Sequence, residues 1–395
     1  MRIQMRNQAC SSKVKPVDVL STSLLQSSDD AKAYYCGRLS SVKRDIRRQR
    51  QRLFPAIPKV VADLHIPEEW KTTGGTSPRR FLAHDSGPGS SQRLLIFSTD
   101  NGLQNLTNSH TWFMDGTFKM SSNLFKQVYV IRGEQNNIIS TCVYALMTEK
   151  TTEMYKKLLQ VVLINCLELG NTARPKVVMT DFELAAMSAV SEVFSSSVSV
   201  KGCYFHLCQS TWRQIQRLGL TKSYKEDSQI RLFCGMINGL AFLPMKDVLL
   251  GMEFLWGAAP FQLLELLHYF DTTYVSGTVG QTPSSPLFSP RVWNVHEATL
   301  GNYHRTNNAC ESWNNRFNSL INQNNPSIWT VLEAIRKDEA MERTRSLSLA
   351  QDVPTTKTSL QKHQRRLQGL CQDYVSGKRD LPSFLRAVGS TIRYY

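Results

Sequence analysis

Between residues 93 and 207 short strand-type runs alternate with helix-type segments, and this order constrains the fold more than any other feature. RLLIFST (93–99) is a short apolar run, followed by a predicted helix over 100–109. TWFMDGTFKM (111–120), FKQVYVIRG (125–133) and IISTCVYALMT (138–148) are rich in β-branched and aromatic residues. Gly, Asn or Ser bounds each run, so three successive strands are expected. Residues 151–169 carry apolar spacing near 3.6 and predict a helix. KVVMTDF (176–182) reads as a buried strand, ELAAMSAVSEVF (183–194) as a helix, and VKGCYFHL (200–207) as another strand before a basic amphipathic helix to about 218. That succession predicts an α/β fold built on a central mixed sheet. From about 222 the pattern changes: 223–272 is helical and rich in Leu, Met and Phe, a Gly/Ser/Pro/Thr loop fills 276–290, and helices are expected over 305–323, 327–350 and 358–376.

The charge is unevenly placed. The 395 residues hold 47 Lys+Arg against 32 Asp+Glu, for a net +15. Residues 1–60 contribute +9 and 336–395 contribute +6, while 61–335 is neutral. Basic ends around a balanced body suit arms that grip a polyanion. Lys43, Arg44, Arg47, Arg48, Arg50 and Arg52 crowd about three helical turns against the single Asp45, and Pro55 ends the run. Residues 1–30 are polar and Ser-rich and are expected to be loosely ordered, and 71–92 carry the Gly, Pro and Ser of loops and a hairpin. Nine scattered cysteines without a CxxC pair read as reduced thiols of the cytosol or nucleus. The opening residues show no apolar signal segment, and no apolar run approaches the ~20 residues of a membrane span.

Two carboxylates stand out. Asp115 lies on the first strong strand among Trp112, Phe113, Met114 and Phe118, where a lone Asp must be exposed, bonded or metal-bound. Asp181 ends the strand KVVMT just before a helix, a place where an N-cap is the commoner role. Both at the carboxyl edge of one sheet could share divalent ions, and hard oxygen ligands suit Mg²⁺ or Mn²⁺. Two such ions can activate water and stabilise a leaving 3′ oxygen in phosphoryl transfer.

DGTFK (115–119), TDFELAA (180–186), GCYFH (202–206) and RTNNACESWNNRFN (305–318) resemble, in order and spacing, the motifs of Mutator-like element (MULE) transposases. The lead-in RLLIFSTDNGLQNLTNSHTWFMDGTFK resembles the animal type, and the likeness spans roughly 40–345. The resemblance implies an RNase H-like core over 93–221, an all-helical insertion over 222–300 and core-completing helices over 301–350. Around these lie a basic arm and linker over 31–92 and a basic helical extension over 351–395. It also implies an Asp-Asp-Glu triad of Asp115, Asp181 and Glu311 holding two Mg²⁺ or Mn²⁺ ions. The activity implied is cleavage of double-stranded DNA beside terminal inverted repeats and joining to target DNA, in the nucleus, by a homo-oligomer. Glu183 and Glu149 are weaker alternatives for the third carboxylate.

Cys203 and His206 match the family's C-x2-H pair. With Cys208 they supply three soft ligands and no evident fourth, so zinc is not expected. His206 is expected beside the carboxylates, with Cys203 buried. Lys119, Arg213, Arg217, Arg305 and Arg316 are candidate phosphate contacts. Trp256, Trp293 and Trp313 could stack on a base, but core packing is the expectation. Family members often carry an N-terminal zinc finger; residues 1–60 hold only Cys10 and Cys36 and no His. No finger can be built from these; the expectation is a truncated copy, a partial gene model, or a type that grips DNA through the basic stretch 43–52. The alternative function is a domesticated or defective transposase-derived protein that binds DNA or chromatin without cutting.

Overall fold

A computed structural model describes residues 16–28, 54–136, 138–277, 284–348 and 358–392, with isolated positions 30, 41, 44–46, 48, 49 and 52. The elements run α1 (Pro16–Leu25), β1 (Leu82–Asp85), β2 (Leu94–Phe97), α2 (Asp100–Thr107), β3 (Thr111–Thr117), β4 (Gln127–Gln135), β5 (Ile138–Met147), α3 (Thr152–Glu168), β6 (Val177–Thr180), α4 (Leu184–Phe194), β7 (Ser199–Gly202) and α5 (Tyr204–Arg217). Helices follow: α6 (Thr221–Glu226), α7 (Ser228–Gly239), α8 (Val248–Ala258), α9 (Leu264–Phe270), α10 (Pro290–Trp293), α11 (His296–Leu300), α12 (Asn308–Ile321), α13 (Ile328–Ser348), α14 (Thr358–Val375) and α15 (Leu381–Thr391). The seven strands form one mixed sheet in the order β1-β2-β5-β4-β3-β6-β7. β3, β4 and β5 make an antiparallel meander, and β6 and β7 add parallel to β3. This α/β arrangement is consistent with an RNase H-like transposase fold.

The strand residues alternate between two apolar layers, as a pleat buried on both faces requires. Trp112, Met114, Tyr129, Ile131 and Val178 pack with α2, α3 and α4. On the opposite face Val130, Tyr144 and Leu146 meet Trp313, Phe317, Trp329 and Ile335 of α12 and α13. Between these sits a small cluster of Phe113, Met179 and Cys310, which brings α12 onto the β3–β6 seam. A separate core joins α5 and the helices from α6 to α11 with α14 and α15. Phe182 reaches into it from the strand edge, meeting Phe288 edge-on at 4.9 Å.

Two expectations are corrected. Residues 204–207 are not strand: β7 ends at Gly202, where a Cβ would fall 2.6 Å from the Phe182 ring. Tyr204 then opens α5, its N–H donating to the Arg305 carbonyl at 3.0 Å. The aromatic run CYFH mimics a strand, but Leu207, Thr211 and Ile215 are buried at helical spacing. Nor are residues 16–25 loose: Pro16 opens α1, and Val19, Leu20 and Ser23 are buried. In the basic stretch Arg44, Arg48 and Arg52 are exposed, while Lys43, Arg47 and Arg50 lie outside the described residues.

Candidate active site

The parallel pairing of β3 with β6 runs Thr111↔Val177, Trp112↔Val178, Phe113↔Met179. The same 66-residue offset, carried two positions further, puts Asp115 level with Asp181. On β6 and β7 the register ends Thr180↔Gly202, so the next row sets Asp181 beside Cys203. Asp115, Asp181 and Cys203 therefore stand in one row across the carboxyl edge of three parallel strands, where neighbouring chains are about 5 Å apart. The spacing along the sequence is the register of the sheet.

Asp115 is only 7% exposed. Its Oδ1 accepts the Gly116 N–H at 2.8 Å and its Oδ2 accepts Asn314 Nδ2 at 3.0 Å, leaving lone pairs on both oxygens. Burial pushes its pKa up to about 7, and the negative charges of Asp181 and Glu311 add to the rise against these two bonds. Two carboxylates one strand spacing apart repel by roughly 3 kcal/mol at an effective dielectric near ~20. Burial also raises Asp181, while Lys150 and the Thr180 hydroxyl, 3.3 Å from Oδ1, pull it down. Asp181 is not the N-cap of α4; that position belongs to Glu183.

Glu311 lies exposed in the first turn of α12, three residues before Asn314 and on the same face. Its charge acts on Asp115 and on His206. Among the described residues no three His, Cys, Asp or Glu side chains close on a point that could hold one metal ion. The two aspartates are thus brought together in register, and among the described residues the charge of Glu311 reaches Asp115 without completing a cage.

Cys203 is 1% exposed and its sulfur accepts the Asn307 N–H at 3.0 Å. Asn307 is the N-cap of α12, and its Nδ2 donates to the Met114 carbonyl at 3.1 Å. The thiol therefore ties the end of β7 to the start of the helix that bears Glu311. His206, in the first turn of α5, has a buried Nδ1 without a hydrogen-bond partner, and burial holds its pKa down. Cys208 points elsewhere: burial pushes its thiol up to about 12, with Tyr204 and Asn238 as neighbours.

The candidate phosphate contacts divide. Lys119 and Arg213 are exposed, as is Arg217, which lines a groove of about 600 Å³ with Trp256, His268 and Tyr269. Arg316 pairs with Asp338 at 2.8 Å and with Glu342. Arg305 donates to Thr299 and Gln364 and lies 5.5 Å over the Phe242 ring. Trp293 and Trp313 are buried, whereas Trp256 is 37% exposed and donates to Asp271 at 2.8 Å. Glu149 accepts from Gln92 at 3.3 Å, and Glu183 accepts from Tyr155 and pairs with Lys150 at 2.8 Å.

Residues 111–210 match the family of the MULE transposase domain. The chain carries a MULE transposase domain. A comparison with curated proteins finds no match. The matched segment contains Asp115, Asp181, Cys203 and His206; Glu311 lies beyond it. Transposase domains of this kind bind DNA, and none of the described helices is long and apolar enough to cross a membrane.

Sequence reasoning missed two residues of the transposase domain's surroundings. Asn314 stood inside the motif RTNNACESWNNRFN, and its place three residues after Glu311 is the signal that could have found it. Lys150 follows β5 and sits 4.1 Å over the Phe118 ring while lowering the Asp181 pKa; nothing in the local sequence marks it.

Proposed function

We propose that this chain is a DDE-type DNA transposase whose catalytic set is Asp115, Asp181 and Glu311. The observation that carries the reading is the shared register of Asp115 and Asp181 at the carboxyl edge, with Asn314 of α12 bonded to Asp115 and Glu311 three residues before it. On this reading the RNase H-like core is 93–221 with 301–350, the helical insertion is 222–300, and the basic segments 31–92 and 351–395 flank it.

The residues suit Mg²⁺ or Mn²⁺. They offer hard oxygen donors with lone pairs available, and the repulsion that raises Asp115 is what a divalent cation relieves. Asp115 and Asp181 would hold two ions between them and Glu311 would complete the set. Bound there, the ions supply an activated water and charge neutralisation at the leaving 3′ oxygen. Asn314 and the Gly116 N–H each bond one oxygen of the Asp115 carboxylate, which fixes it and leaves lone pairs on both oxygens. Cys203 is engaged with Asn307 and is not offered as a zinc ligand. Double-stranded DNA, with its terminal repeats and target, would lie along the exposed Lys119, Arg213 and Arg217. Arg44, Arg48 and Arg52 would extend the grip, along with Lys43, Arg47 and Arg50. A nuclear homo-oligomer is the assembly this work requires.

The second reading, a domesticated DNA- or chromatin-binding protein that no longer cuts, draws on the absence of a three-ligand cage among the described residues. Nicking of terminal-repeat plasmid DNA by the purified chain in Mn²⁺ separates them. The transposase reading expects nicking by the wild type and its loss, with the cooperative fold retained, in Asp115→Asn, Asp181→Asn and Glu311→Gln. Continued nicking by both aspartate variants would sink it.

A further inference from the structure

We propose that Asp338 is a positioning residue: through a buried ion network it fixes α12, and with it Glu311 and Asn314, against the strand that bears Asp115. The inference rests on the proposed catalytic set.

Asp338 lies in α13 and is 0% exposed. Its Oδ2 accepts Trp313 Nε1 at 2.8 Å and the Tyr144 hydroxyl at 2.7 Å, and its Oδ1 accepts Arg316 Nε at 2.9 Å. Glu342, one helical turn on, pairs with Arg316 and, at 3.5 Å, with the buried Arg132 of β4. Arg132 also donates to the Ala309 carbonyl in the first turn of α12. The network therefore grips α12 at Ala309, Trp313 and Arg316, on both sides of Glu311 and Asn314.

Two guanidinium groups and two carboxylates balance in charge here. Such a buried network is seldom more stabilising than apolar packing of the same volume. Its hydrogen bonds are directional, however, and a slide or rotation of α12 would strain several of them together. The apolar contacts of α12 with the sheet, among them Trp313 against Tyr144 with ring centroids 6.3 Å apart, resist such a motion less. The bond from Asn314 to Asp115 is where that positioning reaches the carboxylates. A misplacement of about 1 Å at a reacting centre costs on the order of 100-fold in rate.

The test compares the full chain with Asp338→Asn, Arg316→Gln and Tyr144→Phe. Tyr144→Phe removes a bond to the same carboxylate and keeps the ring against Trp313 of α12, so it controls for stability alone. In the first two variants, hydrogen exchange over residues 309–316 is expected to quicken about 10-fold or more while β3 and β4 keep their protection. Nicking at saturating DNA and Mn²⁺ is expected to fall by about 10- to 100-fold with DNA affinity unchanged. Tyr144→Phe should melt at a lower temperature and do neither. Unchanged α12 exchange in both Asp338→Asn and Arg316→Gln overturns the proposal, as does a loosened α12 that nicks at the wild-type rate. Absence of nicking by the wild type defeats the catalytic reading instead, and the exchange measurement still decides whether Asp338 holds α12.

Discussion

Asp115 carries the most informative single-residue chemistry. Its folded pKa of about 7 lies well above the unfolded value near 3.8, so the native state holds a proton that the unfolded chain releases between those pH values. Native stability from this group is therefore full below about pH 4 and falls as pH rises through 7, by on the order of a few kcal/mol. Asp115→Asn in metal-free buffer should be more stable than wild type at pH 8, and the gap should close toward pH 4. Denaturant melts at the two pH values check this; an equal gap at both contradicts it. Asp115 on its strand and Asp181 at a strand end were legible in the sequence, while the place of Glu311 in the set rests on its motif. Asn314 was not, because its partner sits 199 residues away and only the packing of α12 on β3 brings the two together. Arg316 looked like a surface cation for the matching reason: its partners Asp338 and Glu342, spaced i, i+4 on α13, read as a solvated face until the helix is packed.

At the scale of elements, the meander and the β6–α4–β7 unit were legible because buried strands are near-continuous apolar runs. The start of α5 was misread because aromatic density in CYFH outweighs a helical period that becomes visible only several residues later. α15 docks on α7 through a contact that the apolar pattern does not reveal. A Cβ on Gly235 would fall 2.5 Å from the Gly389 carbonyl oxygen, and one on Gly389 would fall 2.8 Å from the Met236 nitrogen. The two backbones touch, and the obstacle is main chain that cannot rotate aside. Gly389→Val is expected to lift α15 and cost about 1–3 kcal/mol, read as a lower Tm. A Tm equal to wild type would show that the helices can separate freely.

Across the whole molecule the +15 divides into basic ends and a neutral middle that contains the carboxylate edge. A site built to gather cations works best when local Lys and Arg do not already neutralise it, and a polyanion is gripped best by cations placed away from that site. Arg44, Arg48 and Arg52 are exposed, as a grip requires. Replacing all three with Gln should flatten the log–log salt dependence of duplex DNA binding by about 3, while metal-dependent nicking at saturating DNA persists. An unchanged slope would move the grip elsewhere on the chain. The central claim concerns the carboxylate edge itself, and anomalous diffraction from crystals grown with Mn²⁺ tests it most directly. Manganese peaks between Asp115 and Asp181, with Glu311 drawn in, are the predicted result, and their loss in Asp115→Asn is the control. Manganese bound only elsewhere, or no peak at this edge with ordered aspartates, would contradict it.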